Sequence, residues 1–507
     1  MQTTKFKPLF NLVAINKELI RTVAVASTAS NPDANLKSWK EIPGPSSLPI
    51  IGQIRHFLPG GLLHGIEGIE GTMKLFELFG PIVRFDGIFG QAPMILLNDP
   101  ECSEHILRSE NWLPVRPGFM SLEYYRKEYK KKVNKAHTSH ATGLITDHGE
   151  VWKEFRSTVN PVMLQPKTIK QYATVLDEVA QDMIKRMKEN RNEKNMITKN
   201  FDKEMNLWAL ESIGTVALGC RLNSFDPNLP ADSPEWQLIE CVHDLFKTSN
   251  ELDFKPSLWR WFSTPTFKKA MKLYEHHENL TKHFLKKGKE QLKDKSENEK
   301  SVLGKLLEIN EDVAHIMASD MLFAGVDTAA NTVTATLYLL AKNPDKQAKL
   351  REEILSKSER RPYLRACVKE SLRVMPVVSG NIRKVTKEYN IRGYKIPKDM
   401  QVVFAHRDMS LMEVNYPKPR EYIPERWVTS KDDPIYYGNA NPFAHQPFGF
   451  GARSCIGRRI AELEMDTFVA RLIENFQVEW FGPPPKIQQA SLNYIEGPYN
   501  FVFKDVK

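Results

Sequence analysis

The residues with the clearest chemical purpose lie in one run, Pro447 to Gly457, which reads PFGFGARSCIG. Phe448, Gly449, Gly451, Arg453, Cys455 and Gly457 together satisfy the pattern FGxGxRxCxG. Thiolate is the form of cysteine that ligates a metal, and the neighbours of Cys455 suit one. Glycines carry no Cβ, so the backbone can curl closely and aim amide N–H groups at the sulfur. Arg453 adds a permanent cation two residues away, fitted to a carboxylate. The segment that follows, GRRIAELEMDTFVARLIENF, reads as a helix whose positive N-terminal end favours a thiolate beside it. A lone cysteine in a glycine-rich turn is ordinarily a small buried hydrophobe; the whole string is what argues for a ligand.

The run resembles the haem-binding loop of the cytochrome P450 monooxygenases. That resemblance implies a haem b cofactor with Cys455 as the axial ligand of its iron and Arg453 on a propionate. It also implies thiolate donation that assists cleavage of dioxygen. The fold it implies is mainly α with a small β lobe, the haem lying between a long central helix and the Cys-bearing loop. Further strings match. Ala324-Gly325-Val326-Asp327-Thr328 resembles the family's oxygen-activation motif, which makes Asp327 and Thr328 the catalytic pair that manages protons. Read without the family, Thr328 can hydrogen-bond back to the Ala324 carbonyl, and the Ala-Gly pair asks for a close neighbour. The same five residues elsewhere would be a packing glycine beside a solvated acid. Trp152 and Arg156 match the family's WxxxR helix, and Arg383 its strand arginine. Together with Phe448, Arg453, Cys455 and Gly457 they form the implied cofactor-binding set.

Glu370 and Arg373 stand at i,i+3, a pair worth only about 0.2–0.5 kcal/mol on an exposed helix. Pro424-Glu425-Arg426-Trp427 resembles the family's PERW element. The resemblance joins Glu370, Arg373 and Arg426 into a structural, buried ion cluster beneath the haem loop.

Four strings look specifically mitochondrial and are closest to insect members: SENWLPVRPG at 109–118, VNPVMLQPK at 159–167, DMLFAGVDTA at 320–329 and GRRIAELEM at 457–465. Arg365 and Lys369, four residues apart, match the basic pair with which mitochondrial members grip a [2Fe–2S] ferredoxin. Arg458 and Arg459 add two cations on the same side. The plain alternative is a solvated basic face. The chain shows no flavin or NADPH domain, so electrons are expected from a ferredoxin and its NADPH-dependent reductase. The resemblance implies hydroxylation of an apolar small molecule with O2, in xenobiotic metabolism. An ecdysteroid-type steroid hydroxylase and a catalytically inert haem-binding isoform are the alternatives. The second arises because the segment around 354–362 is shorter than the family's usual connection. Ala452 for proline and Tyr422 for phenylalanine are milder departures.

The elements that must hold these residues are legible from periodicity. Most of Thr72 to Lys357 repeats every 3.6 residues, and the longest helix is expected from Val313 to Ala341, closed by Asn343-Pro344. β-like runs concentrate at 82–97 and 383–405, with NIRGYKI as a hairpin. At 507 residues, 41% hydrophobic and 26% charged, the composition is globular. Residues 36–507 are expected to form one unit. Cysteines 102, 220, 241, 367 and 455 lack CxxC spacing, which argues against a disulfide scaffold or zinc site. The net charge of +9 brings no nucleic-acid motif with it, so nucleic acid is excluded. His137 and His140 read as solvated, not as metal ligands.

Within the expected leader, residues 1–35, the stretch 1–32 carries Lys5, Lys7, Lys17 and Arg21 against the single acid Glu18, with Leu12, Ile15, Leu19 and Val23 on one helical face. This fits a mitochondrial transit peptide, placing the protein on the matrix side of the inner membrane. A solvated N-terminus is the other reading. PSLWRWF at 256–262 suits either peripheral contact with a membrane or an ordinary apolar loop.

Overall fold

The computed structural model describes residues 36–49, 51–66, 68–88, 91–133, 141–197, 200–292, 301–358 and 360–506. The expected targeting segment, residues 1–35, lies outside them, as do His137 and His140. Among the described residues the body is built by α1 (Gly149–Met163), α2 (Ala173–Asn190), α3 (Phe201–Leu218), α4 (Pro234–Ser249), α5 (Pro265–Leu292), α6 (Glu311–Lys342), α7 (Pro362–Val374) and α8 (Arg458–Asn475). Helix α6 is buried on almost every side from Ala314 to Leu340. A helix apolar all round must lie in the interior, and α6 does, packed chiefly along α3. It begins two residues before the expected Val313. The reason is local: the Asn310 side chain accepts the Asp312 and Val313 N–H groups and starts the helix ahead of its first apolar residue. Its C-terminal end falls at Asn343-Pro344, where the proline opens the next helix, Pro344–Leu355.

A mixed four-stranded sheet stands beside the helices. It contains β1 (Ile82–Phe85), β2 (Met94–Leu97), β3 (Asn381–Lys384) and β4 (Gln401–Phe404), in the order β1-β2-β4-β3. Ile82 faces Leu97, Ile95 runs parallel to Val402, and Arg383 lies opposite Val402. This register delivers Arg383 to the interior. The hairpin Tyr389–Ile391 with Tyr394–Ile396 turns on Arg392 and Gly393, both at positive φ, as a tight two-residue turn requires. Lys37–Ser38 adds a parallel edge to that hairpin, so both ends of the chain feed the lobe. Near the C-terminus Phe476–Trp480 pairs with Phe501–Asp505. There too β5 (Ile487–Gln488) pairs with β6 (Tyr494–Ile495). Strands of two residues carry no readable period, and the sequence did not announce them.

The junction before α7, expected from the sequence to be short, is closed by a specific contact. The Glu353 carboxylate accepts the N–H groups of Tyr363 and Leu364, each at 2.8 Å, and so caps the first turn of α7. The added hydroxyl of Tyr422 is satisfied as well, donating to the Cys367 carbonyl at 2.9 Å.

Candidate haem-thiolate site

The Cys455 loop turns on two left-handed residues, Gly449 and Gly451, at φ +72° and +71°. A side chain at either position would be strained. The Cys455 amide donates to the Phe448 carbonyl at 2.9 Å, which folds the loop back beneath its sulfur. The Gly457 N–H points at that sulfur. Burial raises the thiol pKa, while the Gly457 N–H and the cations Arg116, Arg156 and Arg458 draw it back down. Although protein surrounds the sulfur, the residue keeps an uncovered face. Arg458 opens α8 and lies over the Phe448 ring, 5.1 Å from its centroid.

Helix α6 supplies the opposite wall. Gly325 permits the close approach of α3: a Cβ there would stand 2.6 Å from Ile213 Cγ1. One residue earlier, Ala324 is uncovered within an otherwise buried stretch, and Thr328, one turn on, is partly so. The Thr328 hydroxyl donates to the Ala324 carbonyl at 2.7 Å. Asp327 faces elsewhere. It is buried, and burial lifts its pKa to about 6. Successive helical residues lie about 100° apart, so the acid and the alcohol leave the helix in different directions. Phe323, on the same helix, stacks on Phe246 at 4.6 Å and meets Phe119 edge-on at 5.4 Å, which makes this wall aromatic.

Four guanidinium groups gather near the loop: Arg116, Arg156, Arg383 and Arg453. Burial, then repulsion from Arg116, Arg383 and Arg156, pushes Arg453 down to about 8. Burial and Arg383 push Arg116 down to about 10. Among the described residues only Arg383 meets a carboxylate, Glu110 at 2.8 Å. The buried Arg156 Nε has no partner there. Arg453 donates to the Pro114, Leu144 and Asp147 carbonyls, and its guanidinium lies over Trp152 at 3.8 Å. Like charges crowded in low dielectric with unspent donors call for a dianion, and a haem with two propionates has that charge. The donor set and the exposed Cys455 therefore fit the group. Arg116 was missed as a member of this set, although it sits in the SENWLPVRPG string; only the fold showed which way that string runs.

Glu370, Arg373 and Arg426 meet with their side chains wholly buried. Glu370 accepts Arg373 Nη2 at 2.7 Å, Arg426 Nε at 3.3 Å, the Ile423 N–H at 3.1 Å and Trp427 Nε1 at 2.9 Å. Arg373 also holds the Ser410 and Pro419 carbonyls. Trp427 carries this cluster to the surface, where Lys369 lies 5.7 Å above its ring. The other expected docking cations are likewise exposed. Arg365 is 3.5 Å from Asp466, Arg458 is 2.8 Å from Glu462, and Arg459 donates to the Leu164 carbonyl.

Comparison with known proteins agrees with this geometry. The family model for cytochrome P450 matches residues 42–503. Cytochrome P450 CYP12A2 of Musca domestica is 37% identical, the match covering 94% of each chain. Probable cytochrome P450 12a5, mitochondrial, of Drosophila melanogaster is 35% identical over 96% of this chain and 94% of its own. Probable cytochrome P450 12b2, mitochondrial, of the same fly is 35% identical over 89% and 86%. With the matched span, the central helix, the β lobe and the cysteine loop in agreement, the chain belongs to the cytochrome P450 family of haem-thiolate monooxygenases.

Proposed function

We propose that this chain is a mitochondrial monooxygenase that hydroxylates an apolar foreign compound, drawing electrons from a [2Fe–2S] ferredoxin and its NADPH-dependent reductase. Residues 1–35 are its transit peptide and 36–507 its working domain, held on the matrix side of the inner membrane. The names of the fly relatives support the compartment. The xenobiotic role rests on the resemblance to insect mitochondrial members. Peripheral membrane contact is supported by Trp261 and Phe262, 70% and 68% exposed between α4 and α5, while Trp259 of the same string turns inward onto Phe267. No helix among the described residues is long and apolar enough to cross a membrane.

The cofactor is haem b, with Cys455 as its ligand; when bound, it supplies dioxygen activation aided by thiolate donation. The chain's own residues do the rest. Gly457 N–H and the positive start of α8 hold the sulfur anionic. Trp152, Arg156, Arg383 and Arg453, joined by Arg116, hold the propionates. Phe119, Phe246 and Phe323 exclude water and orient an apolar substrate. Thr328 holds a hydroxyl proton beside the substrate wall, and Asp327 holds the acid proton behind it. Glu370, Arg373 and Arg426 fix the loop from below. Arg365, Lys369, Arg458 and Arg459 present cations to an acidic partner.

The exposed Cys455, its sulfur supported by the Gly457 amide, carries the reading. Cys455→Ser is expected to retain the fold by circular dichroism yet lose the carbon monoxide band of a thiolate-ligated ferrous haem. A variant that kept the band would overturn the assignment. Turnover of a panel of foreign compounds and ecdysteroids, with ferredoxin and reductase supplied, tests the substrate class; conversion of the steroids alone would replace it.

A further inference from the structure

A cavity of about 230 Å³ lies between α5, α6 and the segment 120–133, with Phe323 in its wall. Phe323 also belongs to the aromatic wall beside Ala324, so the cavity and the substrate wall share a ring. Across it, the His277 ring of α5 stands nearly perpendicular to Phe323, 6.1 Å away. Lys282 and Asp312 of the lining are exposed to solvent, whereas Tyr274, His277 and Phe323 are buried.

The charges buried here are matched inside the chain. Glu278 accepts Lys130 Nζ at 3.0 Å and the Tyr125 hydroxyl at 3.1 Å, and Lys282 lies 3.2 Å away. Burial raises the Glu278 carboxyl, but the two lysines outweigh it and hold the group down at about 2. Arg126 donates to Asp320 at 2.7 Å and to the Thr142 carbonyl at 2.8 Å, and the Leu144 N–H takes the other Asp320 oxygen at 2.9 Å. The Tyr274 hydroxyl is within reach of the Ser121 and Ser249 hydroxyls, at 3.0 and 2.9 Å. His277 differs from all of these. It is 5% exposed, and its Nε2 has no hydrogen-bond partner among the described residues. Burial, then Arg126, pushes the imidazole down to about 3 against the pull of Glu278, so the ring is neutral near pH 7. Burial lowers His315, in the α6 wall, as well.

Matched charges make no call for an ionic ligand. A buried neutral imidazole with an unspent nitrogen calls for a neutral group that can hydrogen-bond, and such a nitrogen donates or accepts according to its tautomer. An occupant that displaces water there must return the bond that water would make. We propose that His277 is a specificity-determining residue that anchors a neutral oxygen-bearing group, a ketone or an alcohol, at one end of an otherwise apolar substrate. This rests on the reading of the chain as a hydroxylase of apolar foreign compounds and narrows their class. The Phe323 ring carries the apolar body from His277 towards Ala324 and Thr328. Phe323 precedes Thr328 by five residues, roughly 8 Å along the axis of α6. The anchored oxygen and the carbon presented beside Thr328 are held about that far apart, so hydroxylation falls at the end remote from the polar group.

The test uses the haem-loaded full chain and three probes of one shape: 4-acetylbiphenyl, the alcohol formed by its reduction, and the hydrocarbon 4-ethylbiphenyl. Binding is read from the shift of the haem Soret band, and regiochemistry from the products formed with ferredoxin and reductase. In wild type an oxygenated probe should bind about five- to tenfold tighter than the hydrocarbon, the scale of one buried hydrogen bond, and be hydroxylated on its far ring. Preference for the ketone or for the alcohol tells whether Nε2 donates or accepts. His277→Phe removes the nitrogen and keeps a flat ring. It should bring the oxygenated probes to the level of the hydrocarbon, leave the hydrocarbon no weaker, and spread hydroxylation over both ends. His277→Gln keeps a donor and an acceptor and should restore part of the preference. A purely structural histidine would move all three probes together. Equal binding of the three in wild type, no shift with any of them, or a preference that survives His277→Phe overturns the anchor and leaves the hydroxylase reading standing. Turnover confined to ecdysteroids removes the foreign-compound reading, and the anchor argued on it. The carbon monoxide spectrum reports folding in each variant; if His277→Phe misfolds, the wild-type series and His277→Gln decide.

Discussion

Two charged clusters flank the Cys455 loop, and they are built on opposite plans. Around Glu370 one carboxylate meets two arginines, an indole N–H and a backbone N–H, and carbonyls take up further donors. Around Arg453 four arginines face one another with a single carboxylate in contact among the described residues. The first cluster holds its counter-ion within the chain, although the buried Arg426 Nη1 has no partner among the described residues; the second has most of its charge unmatched there and calls for an anion from outside. Both are rich in arginine and buried, so composition cannot tell them apart. What separates a structural ion cluster from a ligand site is whether the buried cations find a shared counter-ion inside the protein.

Breaking the balanced cluster carries the largest expected effect. Glu370→Ala leaves Arg373 and Arg426 buried without their counter-ion, a loss of about 3–5 kcal/mol. Folded yield and the chemical-denaturation midpoint should both collapse, with haem or without it; a soluble, normally stable Glu370→Ala protein would place the cluster outside the load of the fold. Removing a member of the unbalanced cluster should do the reverse to the haem-free chain. Arg116→Met relieves repulsion, so the haem-free protein should melt no lower than wild type. The loaded protein should release haem on the order of tenfold faster, the scale of one charged hydrogen bond. Transfer to apomyoglobin measures the release, and an unchanged rate would make Arg116 a bystander.

The smallest effect sharpens the comparison at the proximal surface. Asp466, which burial lifts to about 7, holds Arg365. Asp466→Asn frees that cation for an acidic partner, and the ferredoxin KM should fall about two- to threefold, within the range of one exposed pair. In the wild-type chain the folded state binds this proton more tightly than the unfolded one does. The stabilisation from it is complete below the ordinary carboxylate range and is lost as pH rises through about 7. A melting temperature in wild type and Asp466→Asn with the same pH slope would show that the carboxyl does not titrate there.

Much of this was legible from residue types alone. The spacing around Cys455 named the ligand loop, because glycines at left-handed positions and a cysteine before a helix start are local demands. The 3.6-residue period named α6 to within two residues at its start and one at its end. Even the Thr328 to Ala324 hydrogen bond is an i to i−4 relation that a helix guarantees.

Tertiary structure decided whatever depends on which way a residue faces after distant segments meet. Arg116 joined the guanidinium cluster only because β3 and the cysteine loop come to it from more than 260 positions away. Asp327 and Thr328, neighbours in sequence, leave α6 in different directions, and Asp327 is buried against walls raised by α3, α4 and the β5–β6 hairpin while Thr328 stays partly uncovered. The sequence determined the chemistry available at each position, since side-chain identity and local backbone preference travel with the chain. It left open which charges would find a counter-charge, since that depends on long-range packing, where burial turns an ordinary arginine into an unpaired one.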